Sequence, residues 1–133
     1  MSEDTVGITA LDDDGVPQAV CIMDNWSHNS CMMHIWIGNP FVLKHGYAEA
    51  VFGYTFSDGR EKVIGITPSD NQKALKFNRH IGFKEIARIK DGYKKGVDYI
   101  VTEMNKDECR FVNGEKRIEF TPTGREPISA TGT

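Results

Sequence analysis

A glycine turn that leads into a predicted helix is the feature of the sequence best suited to chemistry. The turn comprises Leu43-Lys44-His45-Gly46-Tyr47-Ala48, and the apolar residues after it predict a helix. A helix that begins after such a turn presents unpaired backbone N–H groups and the positive end of its dipole. This arrangement is typical of a phosphate or pyrophosphate site. Gly46 and Ala48 are small, so a ligand could approach the backbone closely.

A second predicted helix supplies further polar groups. It follows a short apolar strand, begins near Asn71 and ends at Gly82, and Pro68-Ser69-Asp70 precede it. Serine and aspartate both cap helix N-termini, so Ser69 or Asp70 is expected to cap this helix. Gly82 is expected to end it in the left-handed conformation.

The rest of the chain alternates between short apolar runs and turn signals. Asp12-Asp13-Asp14-Gly15 separates two β-branched runs and predicts a hairpin. Strands are predicted at residues 5–10, 16–23, 30–38, 62–67, 83–89 and 97–104, with helices from about 46 to 56 and from about 70 to 81. The order β-β-β-α-β-α-β-β predicts an α+β fold, in which two main helices flank a mixed and mostly antiparallel sheet.

The length of 133 residues predicts one domain. We assign residues 1–108 to this domain and residues 109–133 to a C-terminal extension. Residues 118–120 of the extension could add a short strand. Residues 122–133 are rich in Thr, Gly and Pro and are expected to be flexible.

Composition argues against several classes of function. The formal net charge of −3 and the pI near 5.8 argue against a nucleic-acid binder that works by bulk electrostatics. Neither the three cysteines nor the four histidines show metal-ligand spacing, so no metal site is predicted. No apolar run approaches the roughly 18 residues that a membrane span needs. We therefore expect a soluble, cytoplasmic protein whose partners are neither nucleic acid nor membrane.

The glycine turn and the second helix together resemble the GNAT superfamily of N-acetyltransferases, over residues 16–104. Members of that family carry a pyrophosphate loop of the form Gln/Arg-x-x-Gly-x-Gly/Ala shortly after a proline, and here Pro40 precedes the glycine turn. They also carry an Asn, an Ala and a Gly-Phe pair with the spacing of Asn71, Ala74, Gly82 and Phe83.

Two finer resemblances and two departures accompany this match. Gly46-Tyr47-Ala48-Glu49-Ala50 is similar to ribosomal-protein-type acetyltransferases, and the motifs MDNW, PSDN and DECR resemble acetyltransferase-like proteins of bacteriophages. Leu43 stands where the family usually has Gln or Arg. The N-terminal strand and two helices that usually precede the hairpin are also lacking. The resemblance then implies an acceptor cleft that is open, or is completed by the C-terminal segment or by a second subunit in a homodimer.

The resemblance implies acetyl-coenzyme A as the acetyl donor. Amides of the glycine turn would hold its pyrophosphate, and its pantetheine arm would run along residues 30–38, where Gly38 suits a break between strands. Asn71 would contact the pantetheine amides, and Arg79 or Lys76 would meet the adenosine phosphates. The cofactor-binding residues are thus expected to be Trp36, Ile37, Gly38, Lys44, His45, Gly46, Tyr47, Ala48, Asn71 and Arg79.

The resemblance also implies direct transfer of the acetyl group to an acceptor amine in a ternary complex. A backbone N–H near Ile37 would stabilise the oxyanion. His34 is the candidate base, because imidazole commonly titrates near neutral pH and residues of this strand handle protons in several family subgroups. Asp24 and Glu103 are alternative bases.

Asn78 occupies the position where many family members carry a tyrosine that protonates the leaving thiolate. It could hydrogen-bond the sulfur or position a water molecule, and Tyr47 and Tyr99 are alternative acids. The first functional hypothesis is therefore an N-acetyltransferase acting on a small-molecule or protein amine. The alternative is a non-catalytic GNAT-fold binding or structural protein, phage-associated, with or without coenzyme A.

Overall fold

The computed structural model describes residues 5–113, in which six strands form one mixed sheet of order β1-β2-β3-β4-β6-β5. Four neighbouring pairs are antiparallel and only β3 and β4 are parallel, so the predicted α+β class is confirmed. The elements are β1 Val6–Leu11, β2 Pro17–Asp24, β3 Ser30–Ile37, α1 Phe41–Lys44, α2 Tyr47–Thr55, β4 Lys62–Pro68, α3 Gln72–Ile81, β5 Lys84–Lys94, β6 Val97–Asn105, a 3-10 turn Lys106–Glu108 and α4 Arg110–Asn113.

The predicted first hairpin is built by its acidic turn. The Asp12 carboxylate accepts the backbone N–H of Asp14 and of Val16, each at 2.9 Å. Gly15 has a φ of 82°, a value that glycine adopts without steric cost. The turn therefore fixes the register in which β1 pairs with β2.

The core lies between one face of the sheet and α2. Val51 and Phe52 of α2 have no exposed surface and pack against Met23 and Val63 of the sheet. The segment after residue 108, predicted as an extension, also contributes to this core. Cys109 is buried, and the ring of Phe111 stacks on Phe52 with centroids 5.6 Å apart. The α2 helix is thus covered on both sides.

The opposite face of the sheet, which we call the outer face, is not covered by any helix within residues 5–113. Strand alternation places Ile22, His34 and Trp36 on this face, because their sequence neighbours on β2 and β3 point into the core. Ile22 is 38% exposed and Trp36 is 54% exposed. No helix in the described residues has the length and apolar character to cross a membrane.

Several predicted boundaries were wrong. Residues 41–44 form the short helix α1 rather than an irregular turn. The second hairpin has longer strands than expected, because β5 continues to Lys94 past irregular pairing after Ile89. The N-cap of α3 is Asn71 rather than Ser69 or Asp70. The strand predicted at residues 118–120 lies outside the described residues.

Candidate functional site

The helix α2 begins after a glycine, which has no side chain that could cap the helix N-terminus. Gly46 precedes the helix with a φ of 92°, and no side chain of the described residues caps it. The first intrahelical bond runs from the N–H of Ala50 to the carbonyl of Gly46 at 3.0 Å. The N–H groups of Tyr47, Ala48 and Glu49 therefore lie before this bond, where an anion is the natural partner.

Residues around this helix start have structural duties as well. The Tyr47 hydroxyl donates to the Ile8 carbonyl at 2.6 Å, and burial raises the pKa of Tyr47. This side chain anchors α2 to β1, so its phenol does not face the predicted reaction centre. The His45 N–H donates to the Val42 carbonyl at 3.1 Å and closes α1. The exposed Lys44 side chain lies with its Nζ 5.7 Å from the centroid of the Phe41 ring.

A cleft opens where β3 and β4 separate. The two strands pair only from Ser30 to Met32 on β3 and from Lys62 to Ile64 on β4. Beyond that point lies a cavity of about 190 Å³. The break was predicted at Gly38, and this was wrong, because the pairing already ends before Met33.

The walls of this cleft bring together residues that are distant in sequence. They include His34 on β3 and Gly65 and Thr67 on β4. They also include Asn71, which precedes α3, and Asn78 within this helix. Gly65 and Thr67 were missed in the sequence. The alternation of β4 could have placed both on the α3 side, but the sequence gives no sign that β3 separates from them.

The backbone of β3 presents hydrogen-bonding groups to the cleft. The Gly38 N–H donates to the Gln18 carbonyl of the β2 side at 2.8 Å. Because these bonds alternate in direction along a strand, the Trp36 N–H also points toward β2, whereas those of Ile35 and Ile37 point toward the cleft. The predicted role of Ile37 therefore agrees with the geometry, but the amides of Trp36 and Gly38 are turned away from the cleft.

Gly38 has a different use from the one predicted. A Cβ at this position would overlap the ring of Trp36, so the indole lies across the glycine. Glycine at this position thus leaves room for the Trp36 ring at the end of β3, on the outer face of the sheet.

His34 lies at the outer mouth of the cleft. Its Nε2 is 3.3 Å from Oδ1 of Asp24, and the imidazole is half exposed. If Nε2 carries the hydrogen, the carboxylate holds this tautomer and leaves Nδ1 as a proton acceptor. Asp24, predicted as an alternative base, is therefore positioned as the partner of His34.

The two asparagines are held by hydrogen bonds of their own. Asn71 caps α3, since its Oδ1 accepts the N–H of Ala74 at 3.2 Å. Its amide NH₂ stays available to a ligand in the cleft. Asn78 donates to Oγ1 of the buried Thr67 at 3.2 Å, so this amide is fixed against β4.

Three further candidates lie away from the cleft. Arg79 lines a second cavity of about 730 Å³, between α3 and the hairpin of β5 and β6. The ring of Tyr99 packs on Tyr93 with centroids 5.9 Å apart. Glu103 pairs with Lys62 at 3.4 Å. The fold thus gathers His34 and the two asparagines but leaves these three candidates outside.

The cysteines are unsuited to nucleophilic catalysis. Cys21 and Cys31 are fully buried in the core, and burial raises their pKa to about 12 and about 11. Burial likewise raises the pKa of Cys109. Thiolates are therefore scarce at neutral pH. The described residues also contain no group of three His, Cys, Asp or Glu that could hold a metal ion.

Comparison with solved structures finds acetyltransferases of similar architecture. A candidate acetyltransferase of the GNAT family from Desulfovibrio desulfuricans has a TM-score of 0.65 at 16% identity, over 75% of this chain and 67% of that chain. Variant forms of the spermidine/spermine N-acetyltransferase SpeG from Vibrio cholerae have a TM-score of 0.67 at 14% identity, over 85% and 74%. A candidate acetyltransferase from Salmonella typhimurium with its cofactor acetyl-CoA has a TM-score of 0.58 at 12% identity, over 71% and 61%.

The chain therefore has the GNAT acetyltransferase fold. No protein-family model matches the sequence, and no curated protein matches it significantly. At 10–16% identity the structural likeness establishes the architecture. The activity has to be argued from the site.

Proposed function

We propose that the protein is an N-acetyltransferase that transfers the acetyl group of acetyl-coenzyme A directly to an amine acceptor. The observation that carries this proposal is the separation of β3 from β4. It leaves a cleft of about 190 Å³ beside the start of α3, with His34 at its outer mouth. The start of α2 is uncapped by side chains of the described residues.

The groups present fit the chemistry of coenzyme A. A diphosphate suits the open N-terminus of α2, where backbone N–H groups and the helix dipole favour an anion. A pantetheine arm carries two amides, and the Ile35 and Ile37 backbone groups and the Asn71 amide are available to pair with them. Acetyl-coenzyme A would supply an activated acetyl thioester.

Each group near the reaction centre then has a distinct task. The Ile37 N–H is a donor for the carbonyl oxygen as negative charge develops on it. His34 accepts the proton that the amine loses, and Asp24 orients the imidazole. Asn78, fixed on Thr67, is a polar contact for the departing sulfur. The high pKa of a buried thiol such as Cys21 is consistent with transfer that forms no covalent enzyme intermediate.

A thiol-release assay with acetyl-coenzyme A and a panel of amines tests this proposal. His34→Ala should lower kcat roughly 100-fold, as expected for loss of a general base, with the affinity for coenzyme A nearly unchanged. Asp24→Asn should have a smaller effect of the same kind. A control variant, His28→Ala, changes an exposed histidine of the loop after β2 and should keep wild-type turnover.

The pH dependence of turnover makes the assignment sharper. The acidic limb of the wild-type pH–rate profile should disappear in His34→Gln, because glutamine cannot accept the proton of the amine. A rate in His34→Ala equal to that of the wild type at every pH from 6 to 9 would exclude this histidine as the base.

A second candidate function is a GNAT-fold protein that binds coenzyme A without catalysis. It is favoured by one observation: among the described residues that line the cleft, none is a tyrosine, cysteine or carboxylic acid that could protonate a leaving thiolate. Calorimetry that detects coenzyme A binding, together with no thiol release for any amine, would support it.

The homodimer suggested by the sequence stays a prediction, which sedimentation velocity can check.

A further inference from the structure

The outer face around His34 carries information about the acceptor. Ile22 lies directly across from His34 on β2, and Met32 and Trp36 lie two residues away on β3, on the same face. Ile22 and Trp36 keep 38% and 54% of their surface exposed. Two exposed apolar side chains thus lie on the same face of the sheet as His34.

The carboxylates that β1 to β4 and β6 place on this face are few and already paired. Strand alternation over β1 to β4 and β6 places only two carboxylates of the described residues here, Asp24 and Glu103. Asp24 is 3.3 Å from His34, and Glu103 is 3.4 Å from Lys62. An acceptor with several ammonium groups would therefore find no unpaired carboxylate on these strands.

The Trp36 ring offers the opposite kind of contact. It lies across Gly38, where a side chain would collide with it, and it is 54% exposed on the outer face. The indole face binds apolar and aromatic groups, and its attraction for a cation is open to any amine, so it does not by itself favour a polyamine.

We propose that the acceptor is an amine that bears an apolar or aromatic group, and that this group binds on Ile22 and Trp36 while the nitrogen lies next to His34. The proposal rests on the proposed transferase function. In the reaction the new C–N bond forms as the thioester C–S bond breaks, the proton of the amine passes to His34, and coenzyme A leaves as its thiolate. Polyamines are expected to be poor acceptors, although SpeG, whose fold is similar, is named for spermidine and spermine.

Competition between two amines tests this assignment in the wild-type protein. With acetyl-coenzyme A saturating, kcat/KM for 2-phenylethylamine should exceed that for spermidine by at least tenfold. Trp36→Ser should lower kcat/KM for 2-phenylethylamine by about tenfold, through KM, with the coenzyme A affinity retained. Ile89→Ser is the matched control, because Ile89 is 50% exposed on the distant strand β5 and its loss should leave both values unchanged.

A binding measurement gives an answer that does not depend on turnover. 2-Phenylethylamine should shift the NMR signal of the Trp36 indole N–H, and spermidine at the same concentration should not. Acetylation of spermidine at an equal or greater kcat/KM would overturn this inference and leave the transferase function intact. If no amine released thiol and the Trp36 signal did not move, both the inference and the proposed function would be wrong.

Discussion

The two main helices begin in opposite ways. The N-terminus of α3 is closed by Asn71, whose side chain accepts the N–H of Ala74. The N-terminus of α2 begins at Gly46 with a φ of 92°, and no side chain of the described residues reaches its N–H groups. A capped start stabilises the fold, whereas an uncapped one keeps donors in reserve for a ligand. This contrast is why we place the diphosphate on α2 and the stabilising cap on α3.

The largest effect is expected from closing the open helix start. Gly46→Glu would put bulk and negative charge where the diphosphate is proposed to bind, and should weaken coenzyme A binding by at least roughly 100-fold in calorimetry. Gly46→Asn is the control, because asparagine tolerates a positive φ and adds no charge. It should lose much less affinity. A folded glutamate variant with wild-type affinity would remove the anion site from α2.

A smaller effect is expected from substitutions of Asn71, the N-cap of α3. Asn71→Ala removes the cap and should lower the free energy of unfolding by about 1 kcal/mol in urea titration. Asn71→Asp should keep the cap and the stability but weaken coenzyme A binding, because the side chain then has no NH₂ to donate. If the aspartate variant bound coenzyme A as well as the wild type, Asn71 would have a structural role only.

The smallest effect is expected from the charge that precedes α2. Lys44 is exposed on the glycine turn, and Lys44→Gln should weaken coenzyme A binding a few-fold and make it less sensitive to salt. Lys95→Gln, at the tip of the distant hairpin, changes the net charge equally and should have no effect. Equal salt dependence in the two variants would show that only the overall charge matters.

Local features of the fold could be predicted from the sequence. The acidic turn before Gly15, the glycine at the start of α2 and the glycine at the end of α3 each act within a few residues of themselves. The chemistry of turns and of glycines at helix ends can therefore be predicted without knowledge of the partner strands. The nearness of His34 to Asn71 and Asn78 followed from the family resemblance rather than from any spacing in the sequence.

Features that depend on a distant partner were harder to predict. Arg79 was expected near the adenosine phosphates, and the packing of α3 decides that it lines the cavity between this helix and the β5–β6 hairpin. The pairing of His34 with Asp24 depends on the register of β2 and β3. A shift of the register by one residue would move the side chains of one strand to the other face of the sheet.

The sequence by itself determined where the first hairpin turns, about where the two main helices lie and that a glycine precedes α2, because these are interactions between near neighbours. Only the tertiary structure decided that β3 parts from β4 before Met33, and that the N–H groups of Ile35 and Ile37, rather than that of Trp36, point into the gap. The physical reason is that a strand's hydrogen-bonding groups acquire a direction only when a neighbouring strand takes the alternate ones.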